Sequence, residues 1–354
     1  MIKNSKEVKE IHRLLANTIV SSDCLHKWFD GSKEELPMVL APLERYTKHH
    51  TPNKLYKMRA MTDRAIDALE NDKIYLTRAD FFNDPYDCFL SFDSERLKSA
   101  IKRNLSDESM DSFVSRYGLS FPTGNGNPGI DDYFCTFKSK RDEFFDKCSV
   151  NLSDITEELQ TNTYVASLTE SIHSPVMWAH YADNHKGFAI EYEFRKEMFF
   201  PQPMIVPNES FNWYGWRTLL PVYYSDLRQD GTALAEWLSL CKWTNFLYGE
   251  DKRDLDMSVY LSDMLLKTKL CLQKSSEWAY EHEWRLMITH NWPNYIGAIS
   301  THIFYPPSGI FLGDRISEQD SSCLIAIAKK KKIPVYRMYI NQAGKEYKME
   351  IAVE

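Results

Sequence analysis

Residues 164–194 read Y-V-A-S-L-T-E-S-I-H-S-P-V-M-W-A-H-Y-A-D-N-H-K-G-F-A-I-E-Y-E-F. Y-V-A-S-L-T (164–169) alternates in the manner of a strand. Ser171 to Pro175 gathers turn formers. Val176 to His185 then has helical spacing, and Gly187 follows where a helix commonly ends. F-A-I-E-Y-E-F (188–194) alternates again and reads as a second strand. Elsewhere in the chain strands and helices are interspersed without a regular βαβ rhythm. This predicts an α+β fold: a mixed, mainly antiparallel sheet core with helical layers.

Working toward the N-terminus, I-Y-L (74–76) and L-Y-K-M-R-A-M (55–61) read as strands. Between them Thr62 is placed to cap a helix running through Ile66, Leu69 and Glu70. F-F-N-D-P-Y-D (81–87) reads as a tight loop, because Asn and Asp bond nearby backbone and Pro85 fixes its own φ. Residues 1–50 form an N-terminal helical segment, with Ile11, Leu14, Leu15 and Ile19 on one apolar face. His49-His50-Thr51-Pro52 marks its boundary. Residues 51–354 are then a single α+β domain with a helical insertion near 95–160, broken at P-T-G-N-G-N-P-G (122–129). Toward the C-terminus, 232–273 is helical by pattern. L-P-V-Y-Y (220–224), I-F-Y-P, G-I-F-L-G, P-V-Y-R-M-Y-I and Y-K-M-E-I-A-V read as strands, with a helix over 317–330.

At 354 residues, 43% of them hydrophobic, the chain can bury a full core. A net charge of −7 argues against a large basic field for nucleic acid. The 7 cysteines include no C-x-x-C pair, which fits free thiols in a reducing cytoplasm. The charged N-terminus is unlike a secretory leader. No apolar run approaches the roughly 20 residues that span a bilayer. Neither a G-x-G-x-x-G nor a P-loop occurs.

Two segments concentrate the chemistry. In E-H-E-W-R (281–285), strand alternation puts Glu281, Glu283 and Arg285 on one face, at a cleft or toward water. Two close carboxylates repel, so one pKa should rise unless Arg285 offsets it, and such pairs suit general-base and cation-stabilising work. The same residues also fit an edge strand with a solvated ion pair. In W-A-H-Y-A-D-N-H-K-G (178–187), Trp178, Tyr181 and His185 share one side of a helix, and His180, Asp183 and Asn184 another. His180 and His185 lie roughly 140° apart around such a helix, poorly placed to share a metal. The segment suits a polar-aromatic wall that stacks on a ring and donates hydrogen bonds, or simply a packed aromatic helix. Asp84 and Asp87 could join the Glu pair at a divalent metal, or merely build a turn. Arg59, on a strand, could clamp a phosphate or carboxylate.

In this order L-Y-K-M-R, F-F-N-D-P-Y-D, M-W-A-H-Y-A-D-N-H-K-G-F, Y-E-H-E-W-R-L and I-F-L-G resemble a bacterial family, domain-of-unknown-function family 2971, from about residue 54 to about 350. The family name carries no activity. A second likeness is to the ADP-ribosyltransferase fold, in which an early-strand Arg, a Ser-Thr-Ser-type strand and a Glu-x-Glu pair follow one another. Arg59, S-L-T-E-S (167–171) and Glu281-His282-Glu283 resemble that series. The likeness implies an NAD-consuming ADP-ribosyltransferase or NAD glycohydrolase, with a role as a toxin or phage-defence effector. NAD would be its substrate, and water, protein or nucleic acid the acceptor. It further implies that Arg59 and Ser167 hold NAD, that Trp178, His180 and Tyr181 form the wall against nicotinamide, that Glu283 stabilises the ribosyl cation and that Glu281 serves the acceptor. The competing expectations are a metal-dependent nuclease or phosphodiesterase, and a non-catalytic protein that binds a ligand or partner.

Overall fold

The computed structural model describes residues 4–21, 24, 27–28, 35–104, 152–194, 202–207, 212–236, 263–290 and 299–354. The Gly-Pro break at 122–129 and most of the helical pattern over 232–273 lie outside these residues.

The chain opens with two helices, α1 (Lys6–Asn17) and α2 (Glu35–His50). Ser5 caps the first through its side chain. Ile11 and Leu15 are buried with Leu36, Leu40 and Leu43 in the same apolar cluster as the sheet. Ile19, expected on that face, is exposed; Val20 is buried instead, because the helix has already ended at Thr18. There follow β1 (Lys54–Arg59), α3 (Asp63–Glu70) capped by Thr62, β2 (Lys73–Arg78), α4 (Ser94–Asn104) and α5 (Leu152–Thr161).

The segment 164–194 supplies β3 (Thr163–Thr169), α6 (Pro175–Tyr181) and β4 (Phe188–Glu193). Ser174 caps α6, and Pro175 begins it, where its missing N–H costs nothing. The helix is shorter than its spacing suggests. Asp183, Asn184 and His185 all have positive φ (46°, 52° and 69°), a left-handed run that ends the helix at Tyr181. Gly187 is therefore not a simple helix terminator. A Cβ there would lie 2.1 Å from the Arg59 carbonyl oxygen, so only glycine lets this turn lie against β1.

The remaining elements are β5 (Gln202–Pro207), β6 (Asn212–Pro221), β7 (Tyr223–Ser225), α7 (Leu266–Leu270), β8 (Gln273–Ser275), β9 (Glu283–His290), β10 (Ser300–Phe304), β11 (Gly309–Leu312), α8 (Glu318–Lys331), β12 (Val335–Tyr339) and β13 (Glu350–Val353). The stretch expected as one strand at 220–224 is divided. Pro221 ends β6, and β7 leaves to pair with β8 in a separate two-stranded sheet.

Eleven strands form the main sheet, in the order β13-β12-β11-β4-β1-β3-β9-β6-β5, with β2 joining β3 to β10. Every pairing in it is antiparallel except β11 with β12, which α8 connects. The fold is thus α+β with a mixed, mainly antiparallel sheet. Among the described cysteines, Cys24, Cys88 and Cys271 are buried free thiols and Cys323 is an exposed one. Among the described residues, no helix is long and apolar enough to cross a membrane.

One irregularity positions everything that follows. One edge of β3 pairs with β9 along its whole length. The other edge is shared: Tyr164 and Val165 pair with β2, and Thr169 pairs with Tyr56 of β1. Between them β1 and β2 diverge, and among the described residues Ala166–Leu168 have no strand partner on that side. The sheet splits there, and a cavity fills the split.

Gly187→Ala should destabilise the protein by about 3 kcal/mol or more, because backbone, not a flexible side chain, occupies the space. Urea denaturation of the variant against wild type measures this.

Candidate active site in the split sheet

The cavity has a volume of about 290 Å³ and is bordered by β1, β3, α6, the loop after β2 and the 3₁₀ turn before β9. Ser167, Tyr181, Glu281 and Glu283 line it, together with Asp87, Lys57 and Lys274. Four of the residues proposed from sequence therefore meet at one place, although they come from β3, α6 and the approach to β9.

E-H-E-W-R does not reach this cavity as the single strand face that alternation suggests. Glu281 closes the 3₁₀ turn Ser276–Glu281, and His282 takes a left-handed conformation with φ 44°. Strand β9 begins only at Glu283. The kink turns Glu281 back over the cavity floor, and both carboxylates still meet there. An exposed edge strand with a solvated ion pair is excluded. Strand β9 lies between β3 and β6, Glu281 and Glu283 are buried, and Arg285 has 0% exposure. Trp284, Leu286 and Ile288 are buried on the apolar face of β9.

Burying these charges requires that each be paired. The Arg285 guanidinium donates to Glu283 at 3.0 Å through Nε, to Asp87 at 2.6 Å and to the Cys271 carbonyl at 2.6 Å. The Phe82 ring lies 5.6 Å from the guanidinium carbon. Lys274, on β8, donates to Glu281 at 2.7 Å and Glu283 at 3.2 Å, and lies 3.6 Å from Asp87. Trp278 is 4.9 Å from the same ammonium. Three carboxylates thus share two cations.

The sharing is unequal, and it separates the two glutamates. For Glu283, burial alone would raise the pKa, but Arg285 and then Lys274 outweigh it, aided by a hydrogen bond from Ser167. Its carboxyl is held well below the usual range, so it stays ionised. Glu281 is raised above its usual value, first by burial; Lys274 draws it down and Glu283 pushes it up. The Tyr181 hydroxyl donates to Glu281, and its own pKa is raised by burial and by that carboxylate. For Lys274 burial would depress the ammonium, but Glu283, Asp87 and Glu281 hold it above the ordinary lysine range. The Tyr224 hydroxyl accepts the Glu283 backbone N–H at 2.8 Å, fixing the start of β9.

The other residues proposed from sequence lie elsewhere. Trp178 has 0% exposure and donates its indole N–H to the Ile172 carbonyl at 2.7 Å, so it packs the core and offers no ring face to a ligand. His180 points outward, its Nδ1 2.9 Å from the Tyr280 hydroxyl. Of the supposed aromatic wall, only Tyr181 reaches the cavity, because α6 ends there. Arg59 is not among the lining residues; its Nε is buried without a hydrogen-bond partner. In the N-D-P-Y-D turn, Asp84 accepts from the Tyr86 backbone N–H at 2.9 Å, a turn role. Asp87 is committed to Arg285. Among the described residues, no group of three or more His, Cys, Asp or Glu could hold a metal ion.

Sequence reasoning missed Lys274 and gave Lys57 no role. Lys274 stands in L-Q-K-S-S, a stretch with a surface look, and only the return of β8 beneath Glu281 reveals it.

The model of a family described as protein of unknown function, DUF2971, matches residues 177–286, a span that runs from α6 to β9 and holds both motifs. The resemblance noted from those motifs is thereby supported over that span. No curated protein and no solved structure matches the chain, so the likeness to ADP-ribosyltransferases rests on its residues alone.

Arg285→Met should cost about 3–5 kcal/mol at pH 7, because it strands Asp87 and Glu283 as buried charges. Glu283's depressed pKa stabilises the fold above the ordinary glutamate value of 4.5, and that contribution is lost as pH falls below it. The gap between variant and wild type should therefore narrow below pH 4.5, as urea melts at pH 7 and pH 4 would show.

Proposed function

From a family match over residues 177–286 that carries no activity, we propose that the cavity cleaves the N-glycosidic bond of NAD, as a glycohydrolase or an ADP-ribosyltransferase. One observation carries this reading. A carboxylate held ionised, Glu283, stands beside a carboxylate with raised pKa, Glu281, at one buried cavity. Neighbouring carboxyls whose environments drive their pKa values apart are suited to two different tasks.

The tasks follow from the chemistry. When the bond between ribose C1′ and the nicotinamide nitrogen breaks, the electron pair leaves with nicotinamide and positive charge develops on the ribose. An ionised carboxylate in a water-poor site stabilises that charge. Glu283 fits, because Arg285 and Lys274 keep it ionised and Ser167 orients it. The acceptor must then lose a proton as its oxygen or nitrogen bonds to C1′. Glu281, less acidic and turned by the kink at His282, suits that base. Tyr181, bonded to Glu281, brings an aromatic ring to the cavity, where a nicotinamide ring can lie. At about 290 Å³ the cavity is at the lower limit of ligand sites, roughly 300–1,000 Å³. It suits the nicotinamide riboside half of NAD, with the remainder outside. Water as acceptor gives ADP-ribose; a hydroxyl or amine of a protein or nucleic acid gives a modified macromolecule, the chemistry of a toxin or defence effector.

A metal-dependent nuclease has less in its favour, since among the described residues no group of three or more His, Cys, Asp or Glu could hold a metal ion.

Purified protein incubated with NAD, with and without cell extract, should release nicotinamide. Glu283→Gln should lower the rate about 10³-fold or more, and Glu281→Gln about 10²-fold. The wild-type rate should rise with pH through a value above 4.5, the titration of Glu281. Absence of release under both conditions would leave a ligand-binding role.

A further inference from the structure

The two sheets of the molecule meet at Glu283, and the smaller one is held from the far end of the chain. Strand β6 ends at Pro221, opposite Trp284 of β9. The next residues clasp Glu283 from both sides. The Val222 N–H donates to its carbonyl at 2.9 Å, and the Tyr224 hydroxyl accepts its N–H at 2.8 Å. Tyr224 also stands opposite Lys274 in the parallel pairing of β7 with β8. Strand β7 is thus bonded both to Glu283 and to the strand that carries Lys274, the cation reaching all three carboxylates.

A two-stranded sheet whose strands have 3 residues each needs support from outside. On one edge β7 faces β8, and the Tyr223 N–H donates to the Leu272 carbonyl at 2.8 Å. Backbone groups of successive strand residues point to opposite edges, so those of Tyr224 face away from β8. Asn4 meets them there, just ahead of the Ser5 cap of α1. Its Nδ2 donates to the Tyr224 carbonyl at 2.8 Å, and its Oδ1 accepts the Tyr224 N–H at 2.8 Å. A carboxamide carries the donor and the acceptor of a peptide group, so Asn4 stands in for a neighbouring strand. From α1, the His12 Nε2–H donates to the Pro221 carbonyl at 2.8 Å, and its ring lies 5.3 Å from that of Tyr223. These bonds join residues 220 and 209 positions apart in the chain. Helix α1 is itself anchored in the main core by Ile11 and Leu15.

We infer that the N-terminal segment is a positioning strap for the cavity: Asn4 and His12 hold β7, and β7 holds the backbone of Glu283 and the strand of Lys274. Asn4, His12 and Tyr224 are positioning residues, and none of them lines the cavity. The placement matters because Lys274 serves Glu281 at 2.7 Å and Glu283 at 3.2 Å, and a small shift of β8 alters both. The effect on turnover rests on the NAD reading above; the effect on geometry does not.

Amide hydrogen exchange of the full-length protein, followed residue by residue by NMR without any ligand, tests the strap. Asn4→Ala and Tyr224→Phe should each speed exchange of the Glu283 amide about three- to ten-fold, the worth of one hydrogen bond. The Ile310 amide, bonded to the Pro334 carbonyl on a distant strand, should keep its rate. Arg13→Ala, which removes an exposed ion pair with Glu10 from the same helix, should change neither. An unchanged Glu283 amide in Asn4→Ala would overturn the strap. Equal acceleration at Ile310 would overturn it too, because that marks general destabilisation. With NAD, Asn4→Ala should lower kcat about ten-fold or more while KM stays the same. Wild-type kcat in that variant would contradict the strap's effect on turnover. No release from the wild-type protein either would count against the NAD reading alone, and the exchange rates would still decide the strap.

Discussion

Arg285 is the fixed point of this molecule. Its guanidinium has 0% exposure on a central strand and holds Glu283, Asp87 and the Cys271 carbonyl at once. Those partners come from β9 itself, from the loop after β2 and from the turn after α7, which no apolar contact alone would bring to one point. A guanidinium presents its donors in a rigid fork, so three acceptors around it fix one another's positions as well as its own. A buried ion network is weak evidence for stability; here it ties three segments of the chain to one point.

Lys274 extends that geometry to a third carboxylate. It reaches Glu281, Glu283 and Asp87 from β8, a strand outside the main sheet. Two cations cannot serve three carboxylates equally. Glu283 touches both and is held ionised; Glu281 touches only Lys274 and is raised. The inequality matches their surroundings: Glu283 has both Arg285 and Lys274 as partners, whereas Glu281, in the 3₁₀ turn before β9, has Lys274 and the Tyr181 hydroxyl. Burial and the uneven sharing of the two cations set the difference in acidity, and that difference is what gives the cavity a chemical direction. The split between β1 and β2 opens the floor above these groups and leaves Lys57 to bridge it.

The fold was legible where the sequence is periodic. The alternation of 164–169 and 188–194, the Thr62 cap and the helix near 317–330 all correspond to elements of the structure. Periodicity failed where backbone conformation changed. It extended α6 through Asp183–His185, whose positive φ values no spacing rule reveals, and so placed His180 and Trp178 at a ligand wall that only Tyr181 reaches. It drew Glu281 into β9 for the same reason. The pairing of the two glutamates survived both errors because they are two residues apart, and two residues cannot be far separated. Lys274 was illegible because its importance is wholly tertiary: nothing within L-Q-K-S-S signals that β8 passes beneath the carboxylates.

The central claim is that Glu281 and Glu283, close together in one cavity, differ in acidity because two cations are shared unevenly among three carboxylates. A carboxyl-resolved ¹³C NMR titration of the intact protein, assigned with Glu281→Gln and Glu283→Gln, tests it most directly. Glu281 should titrate above 4.5 while Glu283 remains ionised to well below it. Two glutamates titrating together near 4.5 would contradict the account.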